Sequence, residues 1–156
     1  MIDQDPIAEL SASPIRRLFA YGVVFSLGAL LIVLAFAQPA HFVWQVFFVL
    51  LGAGALVVAE RLRRATQLGL VLTEVDLRDT SGRVLTRLDN ISSIDRGVFA
   101  FKPSHGFVLR LHDSAVSAWA PGLWWGYSKR IGVGGVTPSG PAKFMAEQIA
   151  LRLPAA

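Results

Sequence analysis

Residues 18–59 contain no Asp, Glu, Lys or Arg, and the plainly polar side chains among them are Ser26, Gln38, His41 and Gln45. No other feature constrains the fold as much, because a stretch with so little to solvate it must be enclosed by protein or by lipid. A helix crossing the roughly 30 Å hydrocarbon core of a bilayer takes about 20 residues. The run is therefore too long for one span, and Gln38-Pro39-Ala40-His41 divides it. The expectation is a hairpin of two transmembrane helices, 18–37 and 42–59, joined by a tight turn.

The flanks give an orientation. Arg16 and Arg17 precede the first span, Arg61, Arg63 and Arg64 follow the second, and the turn between them has no Lys or Arg. The positive-inside rule places both ends, and with them both termini, on the cytoplasmic side of the membrane. A cleaved leader is the rival reading. Arg16-Arg17-Leu18-Phe19 faintly resembles a twin-arginine signal, and Ala35-Phe36-Ala37 has the small-x-small form of a cleavage site. The apolar stretch exceeds the 7 to 15 residues usual for a signal core, and a second apolar segment follows at once, so an uncleaved hairpin is expected.

Within the spans, the absence of Asp, Glu, Lys and Arg argues against a proton relay or an ion path. Small residues stand at spacings that let helix backbones approach: Gly22 and Ser26, then Gly52, Ala55 and Ala59. These faces either pack the two helices of the hairpin or dock onto helices of another membrane protein. His41 and Trp44 fall at the outer interface, where amphipathic rings are at home.

After a basic linker, residues 60–68, the texture changes. Val71, Thr73, Val75 and Leu77 alternate with Leu72, Glu74, Asp76 and Arg78, the period of a half-buried strand, with Glu74 and Asp76 on its solvated side. Asp79-Thr80-Ser81-Gly82 is a turn cluster, and Val84, Thr86 and Leu88 resume the alternation, giving a β-hairpin. Val98-Phe99-Ala100-Phe101 and Phe107-Val108-Leu109-Arg110-Leu111 flank the turn formers of Lys102-Pro103-Ser104-His105-Gly106 and predict a second hairpin. Further short strands are expected over 116–120, 124–127 and 129–133. The period then becomes helical: after Ser139-Gly140-Pro141, the residues Ala142, Met145, Ile149 and Leu153 form one stripe of a helix over 141–153. The fold class is thus an α+β membrane protein, with an N-terminal segment 1–17, a hairpin 18–59, and an antiparallel β domain over 69–156 closed by its terminal helix.

Composition agrees with this division. The chain is 53% hydrophobic and 17% charged, with a mean hydropathy of +0.51, whereas an ordinary soluble domain is about a quarter charged. The excess lies in the hairpin, and the remainder has the composition of a small soluble β domain. Disorder is excluded, and the lack of any cysteine excludes a disulfide-stapled scaffold and fits a cytoplasmic domain.

Val71-Leu72-Thr73-Glu74, the Gly82-Arg83-Val84 turn and Leu88-Asp89-Asn90-Ile91-Ser92-Ser93-Ile94, set behind a two-span hairpin, resemble the bacterial pleckstrin-homology-like family of membrane proteins. The segments 118–126 and 129–135 look like those of small two-span alphaproteobacterial proteins. The resemblance covers most of the chain in architecture, and its motifs carry no catalytic signature. It implies a pleckstrin-homology-like β domain that scaffolds, assembles or interacts at the membrane face, and it supplies no ligand residues.

No catalytic constellation emerges from the residues. His41, His105 and His112 lack metal-ligand spacing, and with no cysteine neither a metal nor a cofactor is expected. His112-Asp113-Ser114 holds triad residue types, but sequence neighbours point to different faces. Arg130-Ile131-Gly132-Val133-Gly134-Gly135 lacks the Lys-Ser or Lys-Thr of a P-loop and reads as a bulged strand and turn. Nucleic acid is not an expected partner, because the surplus of basic over acidic residues beyond the linker is small and forms no dense basic run.

Two features remain for binding. The flanking arginines sit where anionic headgroups lie. Trp119, Trp124, Trp125 and Tyr127, beside Lys129 and Arg130, combine residue types enriched at interface hot spots. The expected role is that of an accessory or assembly subunit contacting membrane lipids and other integral membrane proteins. The alternative is a headgroup- or anion-sensing module acting through Lys129 and Arg130.

Overall fold

The structure, a computed structural model, describes residues 5–37, 41–95 and 106–153. Two helices, α1 (Pro14–Ala37) and α2 (Phe42–Ala65), each of 24 residues, form an antiparallel pair. At about 1.5 Å per residue each is some 36 Å long. Both are long and apolar enough to cross a membrane, by length and composition. The connecting residues 38–40 lie outside the described ones.

Their seam is built on two glycines. A Cβ at Gly28 would stand 2.9 Å from the carbonyl oxygen of Gly52, and one at Gly52 would stand 2.8 Å from that of Gly28. Gly52 and Ala59 are buried in α2, and Ala35 is buried in α1. Ala55 is half-buried. Gly22 and Ser26 stand aside: nothing lies within 4 Å of where a Gly22 Cβ would be, and Ser26 is exposed. Gly28, six residues past Gly22, takes the role expected of that pair.

Nine strands among the described residues make two antiparallel sheets. The first runs β1 (Ala8–Ser11), β2 (Gly69–Leu72), β3 (Asp76–Asp79), β4 (Val84–Arg87) in spatial order. A 3-10 turn, Leu88–Asn90, leads into β5 (Ile91–Asp95). The second sheet has the order β5, β6 (Phe107–Leu111), β9 (Arg130–Val133), β8 (Trp124–Tyr127), β7 (Ala118–Ala120). The strand expected over 98–101 and the turn after it lie outside the described residues. Leu10, Leu70, Leu72 and Leu77 from one sheet meet Leu109, Trp124 and Ile131 from the other, with Leu123 from the β7–β8 turn. Helix α3 (Ser139–Ala150) closes this core with Ala142, Met145, Ala146 and Ile149 at helical spacing.

Two expectations are corrected. The alternation over 71–77 is not one strand: the chain reverses at Thr73, whose N–H donates to the Asp76 carbonyl at 2.9 Å and whose hydroxyl donates to the Asp76 carboxylate at 3.0 Å. A side chain that satisfies the backbone locally competes with the ladder, and that competition breaks the strand. Asp76 consequently lies buried instead of solvated, held also by Arg78 Nε at 2.8 Å, while Glu74 remains exposed. The Asp79–Gly82 turn forms as expected, with Gly82 at φ 90° and Asp79 Oδ1 accepting from the N–H groups of Ser81 and Arg83.

Strand β1 was not foreseen. It precedes α1 yet pairs with β2, which follows α2, with Leu10 opposite Leu70. The hairpin therefore leaves and re-enters the same sheet. Its ends are tied down further: Ser13 N–H donates to the Val136 carbonyl at 3.0 Å, and Arg16 donates to the Thr137 carbonyl at 3.2 Å. Gly122, at φ 78°, lets the loop between β7 and β8 press against Leu62 and Thr66 of the second helix end.

Candidate functional site

In the second sheet, alternation sends Trp124, Gly126, Ile131, Val133 and Leu109 inward. The opposite face carries the side chains that could recognise something. Register sets them in two rows. Trp119 on β7 stands opposite Trp125 on β8, and Trp125 opposite Gly132 on β9. Tyr127 stands opposite Arg130, and Arg130 opposite Arg110 on β6.

The first row is a laid-down aromatic. A Cβ at position 132 would collide with the Trp125 indole, so the glycine is the floor on which that ring rests. The remaining glycines of this run have structural duties as well. Gly135, at φ 130°, packs against the backbone of Gly122, and Gly134 N–H donates to the Leu123 carbonyl at 2.9 Å.

The second row is cationic. Tyr127, Lys129, Arg130 and Arg110, with Trp125 and Ser92, line a groove of about 630 Å³. Arg110 pairs with Asp95 at 3.2 Å. Neither Lys129 nor Arg130 has a side-chain partner among the described residues. Like charges directly opposite each other across a ladder are destabilising, and Asp95 offsets that for Arg110. Ser128, at φ 53°, forms the tight β8–β9 turn that brings Tyr127 and Arg130 level.

The aromatic segment thus divides. Trp125, Tyr127, Lys129 and Arg130 converge on the groove. Trp124 is core, 2% exposed, and its Nε1–H has no acceptor among the described residues. Trp119 shares the outer face but lines a different cleft, at the end of α2. Arg110 and Ser92 were missed: they join the groove through strand register alone, far from the Trp-rich segment in sequence.

The second cleft, about 330 Å³, lies between the helix end and the β body, lined by Arg61, Arg64, Asp79, Arg83, Trp119 and Pro121 among others. Of the flanking arginines, Arg63 and Arg64 both grip Glu60, at 2.8 and 2.6 Å. Arg16 is engaged with Thr137. Arg17 and Arg61 have no side-chain partner among the described residues.

Groups for other chemistry do not assemble. No three His, Asp or Glu side chains come together to hold a metal among the described residues. His112, Asp113 and Ser114 are all exposed, and the first two use their N–H groups to bind Asn90. No protein-family model matches this chain, and no curated protein and no solved structure shows significant similarity to it.

Proposed function

We propose that this chain is a non-catalytic integral protein of a bacterial inner membrane, acting as an accessory or assembly subunit of a larger membrane complex. In this reading α1 and α2 span the bilayer, both termini are cytoplasmic, and the β body is a pleckstrin-homology-like module. Two antiparallel sheets closed by a C-terminal helix support that last assignment.

The observation that carries the role is the groove on the outer sheet face. An exposed tyrosine, a flat indole and three cations form a surface suited to an acidic segment of a partner protein. The ties from Ser13, Arg16 and Gly122 fix the body to the helix ends, so the groove is presented at a set height and orientation. Such rigidity suits a scaffold, because little ordering entropy is lost on docking.

A photo-crosslinking residue at position 127, in intact membranes, tests this. Adducts with a defined membrane protein are expected at 127 and not at the exposed Val84 of the first sheet. A protein that yields no adduct from either position contradicts the role.

The second reading is a headgroup- or anion-sensing module, favoured by the two groove cations that lack acidic partners among the described residues. Full-length protein in phosphatidylcholine discs, titrated with a soluble polyanion, tests the second. Salt-sensitive binding lost in Arg130→Gln supports sensing, and salt-insensitive or absent binding removes it.

A further inference from the structure

The cleft at the end of α2 has its own chemistry, independent of the groove. Arg61 and Arg64 enter it from the helix, one turn apart, and Arg83 enters from the turn between β3 and β4. One carboxylate, Asp79, also lines it, but its Oδ1 already accepts from Ser81 and Arg83 N–H groups. Arg64 shares Glu60 with Arg63, while the guanidinium groups of Arg61 and Arg83 have no partner among the described residues. Trp119, 59% exposed, stands at the mouth.

Below the cleft runs an open apolar track. Leu50, Gly54, Val57 and Arg61 recur at spacings of four, three and four residues, so they share one face of α2. Leu50 and Val57 are 67% and 55% exposed, and nothing stands near Gly54. A cationic cleft at the polar end of an uncovered apolar track matches an amphiphile with an anionic head and a long hydrocarbon tail.

We propose that this cleft binds the phosphate of an anionic glycerophospholipid, whose acyl chain lies along the Leu50–Val57 face. Arg61 and Arg83 are the principal contacts to the phosphate, and the Trp119 ring packs at headgroup depth. The apolar track is what selects a lipid over a free phosphate compound, which would use the cleft alone. The inference rests on the hairpin being embedded in a bilayer, and it is independent of what fills the groove on the outer sheet face.

Full-length protein in discs of mixed phosphatidylcholine and phosphatidylglycerol, released into native mass spectrometry, reads out the lipids retained. Wild type should retain phosphatidylglycerol selectively. Arg61→Gln and Arg83→Gln should each lower that retention about fivefold, the effect of about 1 kcal/mol per arginine beside an anionic surface. The groove variant Lys129→Gln/Arg130→Gln should retain it like wild type, and inorganic phosphate should not displace it. Equal retention of both lipids, or retention unchanged in Arg61→Gln and Arg83→Gln, overturns the site. Displacement by inorganic phosphate overturns the lipid assignment in favour of a free anion. Embedded protein without selectivity overturns only this inference, whereas protein that fails to embed overturns the membrane reading with it.

Discussion

Arg130 stands directly opposite Arg110 across the β6–β9 ladder, and among the described residues Arg110 holds an acidic neighbour, Asp95 at 3.2 Å, whereas Arg130 holds none. Two like charges at one register position are what folding alone would avoid. Arg130→Gln should therefore stabilise the protein by about 0.2–1 kcal/mol in chemical denaturation, while abolishing partner crosslinking at position 127. Added salt should narrow the stability difference. A destabilised Arg130→Gln would mean that the arginine serves the fold.

The Trp125–Gly132 stack gives a second expectation. Gly132→Ala has to lift the indole, and overpacking of this kind costs about 1–3 kcal/mol. Trp125→Ala removes the obstacle, so the double variant should lose clearly less than the sum of the two single losses in a double-mutant cycle. Additive losses would show that the ring does not rest on the glycine.

In the hairpin, position should matter more than residue type. Gly52→Leu drives a side chain into the Gly28 carbonyl and Ile32, and should lower the thermal stability of the detergent-solubilised protein. Gly22→Leu and Gly54→Leu meet open space and should leave it unchanged.

How much of this was legible differs by element. The two long helices, the turn at Asp79, the strands at 124–127 and 130–133 and the closing helix follow from hydropathy and periodicity, which are local. Thr73 defeats the pattern because its side chain can turn the chain within an otherwise unbroken alternation. Strand β1 precedes the helical hairpin while its partner β2 follows it, so its pairing comes from a contact across the hairpin that no local pattern carries. Half of the groove was legible as a cluster of Trp, Tyr, Lys and Arg. The other half, Arg110 and Ser92, arrives by register, which no window along the chain reveals. Trp124 and Trp125 are neighbours with opposite fates, because a strand sends successive side chains to opposite faces.

Strand β1 also makes the N-terminal segment part of the β core. Leu10 is fully buried, so Leu10→Ala should cost about 2–5 kcal/mol, while Glu9→Ala on the exposed side should stay within about 0.5 kcal/mol. A soluble fragment beginning at Thr66 should be unstable, and joining residues 5–13 to it through a flexible linker should restore cooperative unfolding. An equally stable fragment without them would show that β1 is dispensable.

The central claim is that the two helices form a bilayer-spanning hairpin with the β body on the side of both its ends. The chain has no cysteine, so single cysteines report without background. In whole bacteria, a membrane-impermeant maleimide should label His41→Cys at the hairpin turn, and should label Ser81→Cys only after the inner membrane is opened. Labelling of both positions from the same side, or release of the protein from membranes at alkaline pH, would contradict the account.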